Sequence, residues 1–115
     1  MSAWYTVNFS LANNADWEQE FQMKDTAGAA IDLTGAAFEM DVRDRAGAEI
    51  LTLTTGNARI VITNAAAGNF KLIVPASVMR TLPTGGYAHD LLRVQAGKTE
   101  RIWAGTVEIF KGVSA

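Results

Sequence analysis

Residues 25–35, DTAGAAIDLTG, decide the fold of this chain. The first half is a polar turn closed by Gly28. The second half returns to apolar residues at Ile31 and Leu33, then breaks again at Thr34-Gly35. The stretch lies between two runs of alternating polarity, 17–24 and 36–43, and a second turn of the same design, Asp44-Arg45-Ala46-Gly47, follows the later run. Aspartate holds such turns by accepting hydrogen bonds from backbone N–H groups a few residues on, and glycine supplies the positive φ that closes them. Strand, turn, strand, turn is the punctuation of an antiparallel β domain.

Outward from this stretch the pattern repeats. Tyr5, Val7, Phe9 and Leu11 alternate with polar residues. So do Trp17, Phe21 and Met23, then Phe38, Met40 and Val42, then Phe70, Leu72 and Val74. A period of two marks strands with one buried face; on a helix it would carry charges into the core. Shorter strands are expected at 50–55 and 59–63, and longer ones at 87–94 and 100–110, the last with Trp103, Val107 and Ile109 on one face. Residues 76–82 are the one helical candidate, a turn or two over an open end of the core, bounded by Pro75 and Pro83. The expected fold is all-β: a sandwich or barrel of about seven to eight strands, one domain over 1–115, with Trp17, Phe21, Phe38, Phe70 and Val107 in a common core.

Composition narrows the function. With 115 residues the chain holds one core. It has no cysteine, so disulfides and thiolate metal sites are excluded. A net charge of −2, with acidic and basic residues interspersed, gives no basic face for nucleic acid. The opening MSAWYTVNFS lacks a basic region followed by a long apolar run, and no run is long enough to span a bilayer, so neither a secretory signal nor a membrane partner is expected.

No catalytic constellation emerges. His89 is the only histidine, and its neighbour Asp90 points to the opposite face of a strand, so His89 is read as a boundary residue of that strand. Glu18, Glu20, Glu39 and Asp41 fall on solvent-facing positions, and Asp25, Asp32 and Asp44 are turn residues. No glycine-rich run opens a helix, so there is no phosphate loop. No enzyme activity, cofactor or metal is expected. Trp4, Ile73, Ile102 and Phe110 are large apolar residues on the outward parity of their strands, and they are the candidate partner-binding residues.

Taken in order, several motifs carry a family resemblance over nearly the whole chain. They are Trp17-Glu18-Gln19-Glu20-Phe21, Lys24-Asp25-Thr26-Ala27-Gly28, Ile31-Asp32-Leu33-Thr34-Gly35, Met40-Asp41-Val42-Arg43, Gly68 before Phe70-Lys71-Leu72, Leu82-Pro83 with Gly85-Gly86-Tyr87, Asp90-Leu91, and Gly105-Thr106-Val107. In this order the chain resembles the immunoglobulin-like N-terminal domain of upper baseplate proteins of tailed bacteriophages and prophages. His89 and Arg93 depart from that pattern, at positions where a tyrosine and an apolar residue are expected. The resemblance implies an immunoglobulin-like antiparallel β-sandwich in a virion, made in the host cytoplasm. Its role there would be a tail or baseplate adaptor that docks to other tail proteins or fibres, present in multiple copies per particle. A capsid decoration protein of the same fold and a carbohydrate-binding module for the host surface are the alternatives.

Overall fold

Side chains that alternate in the sequence line opposite faces of nine strands in a computed structural model describing residues 5–114. The strands are β1 (Tyr5–Thr6), β2 (Phe9–Ala12), β3 (Trp17–Gln22), β4 (Ala37–Arg43), β5 (Glu49–Thr54), β6 (Ile60–Asn64), β7 (Asn69–Val74), β8 (Gly85–Gln95) and β9 (Lys98–Phe110). One helical turn, α1 (Ala76–Met79), joins β7 to β8. The strands form two sheets. One runs β1-β9-β8-β4-β5, with β2 continuing beside β9 after β1; the other runs β3-β7-β6. In immunoglobulin terms these are A′GFCC′ and BED, so the chain is an immunoglobulin-like β-sandwich. All pairings are antiparallel except those of β1 and β2, which lie parallel to β9.

The two aspartate turns are copies of one another. Asp25 Oδ1 accepts from the N–H groups of Ala27 and Ala29, and Asp44 Oδ1 from those of Ala46 and Ala48, all at 2.9 Å. Gly28 and Gly47 both have φ +84°, as a type I turn followed by a left-handed residue requires. Asp32 accepts from both the N–H (2.9 Å) and the hydroxyl (2.6 Å) of Thr34, and these bonds hold its carboxyl below the usual carboxylate range. Leu33 is fully buried within this turn, and Gln95 donates to the carbonyls of Asp32 and Thr34 at 3.0 Å each. The turn therefore stitches the entry of β4 to the β8–β9 hairpin.

The helical segment is shorter than its sequence pattern. Four residues are helical, and the chain then tightens through a Leu82 N–H to Met79 carbonyl bond that buries both Met79 and Leu82. The first free N–H of the turn is capped from a distance, by Asp16 Oδ1 on Ala76 N at 2.6 Å. Tyr87, near the start of β8, donates its hydroxyl to the Pro83 carbonyl at 2.7 Å. This is the tyrosine corner of Greek-key sandwiches, and it locks the crossing between the sheets.

Trp17, Phe38, Phe70 and Val107 are buried in one core, as their parity implies. Phe70 is its centre, stacked on Phe38 (centroids 4.7 Å) and Phe21 (5.7 Å). Phe21 itself is only partly buried. It lies toward the end of β3, an edge strand, packed on Trp103 and Phe70 on its inner side and lining the recess between the sheets.

Two departures from simple alternation matter for the site. The single early strand expected over 5–11 is broken at Val7-Asn8, where the chain crosses Gly105; a Cβ there would overlap the Val7 carbonyl. The second is a bulge in β9. Leu91 pairs with Trp103 but Leu92 pairs with Arg101, leaving Ile102 as an extra residue. A bulge turns two successive side chains toward one face. Ile102 and Trp103 are accordingly both buried, at 4% exposed each. The outward placement expected for Ile102 is corrected by that bulge.

Candidate functional site

The four expected partner-binding residues do not form one patch. Trp4 lies outside the described residues. Ile102 is in the core. Ile73 faces out from β7 in the three-stranded sheet and lines a shallow hollow with Asp16, Arg59 and Pro75. Phe110 ends β9 in the other sheet and is 46% exposed. The outer faces of two packed sheets point in opposite directions, so Ile73 and Phe110 cannot meet one flat partner surface together.

The bulge builds a different site instead. Past Ile102 the parity of β9 is reversed, so Glu100 turns inward and Arg101 outward. Arg93, inward on β8, lies directly opposite Glu100 and donates to it at 2.9 Å. Their side chains are only 12% and 19% exposed. Arg93 also approaches the Met23 sulfur at 3.8 Å. Arg101, on the outer face, pairs instead with Asp90 at 3.4 Å.

This ion pair forms part of the wall of a recess of about 490 Å³ between the two sheets, where the edge strands β1 and β3 leave the sandwich open. Its apolar walls come from Tyr5, Phe21, Met23, Ile31, Ile102 and Trp103. The volume falls within the roughly 300–1,000 Å³ span of sites that take small ligands or side chains. The recess draws on residues distant in sequence, and Tyr5, on its rim, is 54% exposed. Sequence reasoning missed it, because the inward turn of Glu100 and Ile102 depends on a bulge that alternation does not reveal.

His89 is more deeply placed than a boundary residue: it is 5% exposed. Its Nε2 lies 2.6 Å from the Val7 carbonyl, which can only accept, so Nε2 carries the proton and donates. Burial pushes the imidazole below its ordinary value, partly offset by the bond to Val7 and by Asp90. Asp90 is on the other face of β8, as alternation implies, and does not touch the ring. Nε2 is thus engaged by backbone, and the lone pair a general base would use, on Nδ1, is buried. Both positions that depart from the family resemblance, His89 and Arg93, place polar side chains on the inner face of β8, each with a partner.

Glu18, Glu20 and Glu39 are exposed, and Asp41 is half-buried on the outer face, held by Arg43 and Thr52 at 3.2 Å each. Trp17 and Trp103 are buried, so neither presents a face on which a sugar ring could stack. Among the described residues no three histidine, cysteine or carboxylate side chains cluster as metal ligands. No protein-family model matches the chain, and no curated protein matches it.

Proposed function

We propose that this protein is a non-enzymatic structural component of a tailed-bacteriophage virion, a tail or baseplate adaptor that docks to neighbouring tail proteins and is present in several copies per particle. The observation that carries the reading is the recess between the sheets. A domain of this size holds one core, and a sandwich that served only its own stability would close an apolar hollow beside that core. Open among the described residues, with Tyr5 exposed on its rim, the recess suits an apolar side chain offered by an adjoining subunit. The sequence resemblance supplies the class of that neighbour. Its motifs include the residues that build the Asp25 turn, the Asp32–Thr34 turn and the tyrosine corner, so the likeness rests in part on the framework that positions the recess.

The test is location. Particles are separated into tails and capsids, and the protein is quantified in each fraction by mass spectrometry. Recovery with tails at a fixed ratio to baseplate proteins is expected. Recovery with capsids moves the protein to the decoration class, and absence from both overturns the virion reading. Tyr5→Asp gives the matching surface test: it is expected to leave the fold intact and to lower tail incorporation.

A further inference from the structure

We propose that His89 is a proton-sensitive latch that holds the N-terminal edge strands β1 and β2 on the sandwich, so that acid releases them while the rest of the fold persists. Among the described residues the backbone pairing of the two strands runs along β9 alone, through short parallel ladders: Tyr5 and Thr6 opposite Trp103 and Ala104, then Phe9 through Ala12 opposite Val107 through Phe110. Between the ladders, Val7-Asn8 crosses Gly105 and is clamped by side chains. Asn8 Oδ1 accepts from the N–H and hydroxyl of Thr106 at 3.0 and 3.1 Å. The Val7 carbonyl accepts from His89. Of these clamps only the histidine titrates.

Its surroundings make the neutral ring the one that fits. The Nδ1 atom is buried and has no hydrogen-bond partner among the described residues. A second proton would create a donor there with no acceptor, together with a charge in an apolar setting. Across the strands, His89 faces Val42 of β4 and Gly105 of β9, and the Phe9 ring of β2 lies 5.2 Å from it. The charged and titratable groups nearby offset this only in part. On β8 the Tyr87 hydroxyl is committed to Pro83, Arg93 is paired with Glu100 of β9, and Asp90 faces outward to Arg101. On β4, Asp41 and Arg43 face outward and pair with one another. On β3, Glu18 and Glu20 are exposed on the outer face. The segment from Val7 to Phe9 carries no titratable side chain.

His89 is buried with Nε2 against the Val7 carbonyl, so displacing the β1–β2 crossing is the route by which a protonated ring would gain water. Losing those two strands leaves β9-β8-β4-β5 and β3-β7-β6 paired as before. It uncovers the edge of β9, a row of backbone groups ready for another strand, and removes Phe9 from Trp17 (5.1 Å) and Trp103 (6.2 Å). The sign follows from linkage. The docked state resists the proton and the released state takes it up near the ordinary imidazole value of about 6.5, so docking is at full strength above that pH and weakens as pH falls below it. One proton changes the docked-to-released ratio by at most about tenfold per pH unit.

The experiment follows the intact chain from about pH 7.5 to about pH 4.5. Hydrogen exchange is corrected for its intrinsic pH dependence and combined with tryptophan emission and the imidazole C–H resonance, which is unambiguous because His89 is the only histidine. Hydrogen bonds from Thr34 hold the Asp32 carboxyl below its ordinary value, away from the imidazole's range. The expected result is loss of protection confined to residues 5–12 and the β9 amides that bond to them, with a red shift in emission, at the midpoint where the imidazole titrates. His89→Gln keeps an N–H donor for Val7 but does not titrate, and it is expected to abolish the acid step. An imidazole that titrates with residues 5–12 still protected overturns the proposal. So does an acid step that survives in His89→Gln. If that variant does not fold, the coincidence or separation of the two midpoints in the natural chain decides.

Discussion

Truncating Phe70 to alanine removes the ring on which both sheets converge. Phe70 is fully buried, stacked on Phe38 at 4.7 Å and on Phe21 at 5.7 Å, with Trp103 at 5.9 Å. Deleting a buried phenyl group and leaving its cavity costs about 3–5 kcal/mol. Each aromatic neighbour lost is worth about 0.5–1.5 kcal/mol beyond area, which places this variant toward the upper end. A domain of this kind is stable by about 5–15 kcal/mol, so the variant loses a large share of its stability. Phe21 is one ring away but partly exposed at the recess, and Phe21→Ala is expected to cost about 1–2 kcal/mol. Urea titration of both variants, with the slope unchanged, gives the comparison. If Phe21→Ala costs as much as Phe70→Ala, or Phe70→Ala costs less than about 1 kcal/mol, the stack is not the centre of the core and the open recess beside it is misread.

Tyr87→Phe removes the hydroxyl from the Pro83 carbonyl and is expected to cost about 1 kcal/mol in thermal or urea unfolding; an unchanged stability denies the tyrosine corner its role. Gly35 has φ +79°, so Gly35→Val strains the turn and lowers stability, while folded molecules still join particles at normal occupancy; normal stability with failed incorporation would make the turn a binding loop. Phe110→Asp leaves the monomer folded, because the ring is already half in water, and incorporation into particles is read against that of Tyr5→Asp. A defect in Phe110→Asp alone moves the docking surface from the recess to the outer face of the larger sheet.

Much of the framework was legible because its causes are local. An Asp-x-Ala-Gly turn specifies its own hydrogen bonds, and the two such turns form as read. Strict alternation in β4 and β7 places Phe38, Met40, Val42, Phe70, Leu72 and Val74 in the core with no long-range information. Pro83 follows the single helical segment, and the polar character of the outer faces is carried by Glu18, Glu20 and Glu39.

What the sequence by itself determined is therefore the succession of strands and turns and most of the inward set. The tertiary structure decided where that parity fails. The bulge at Ile102 arises from how β9 registers on β8, and it moves Ile102 from surface to core, brings Glu100 in to Arg93 and sends Arg101 out to Asp90. The break at Val7-Asn8 and the burial of His89 depend on parallel pairing with β9, nearly the whole chain away. Side-chain parity is a property of one strand, whereas a bulge or a crossing is a property of two strands in register, and only the folded chain brings them together.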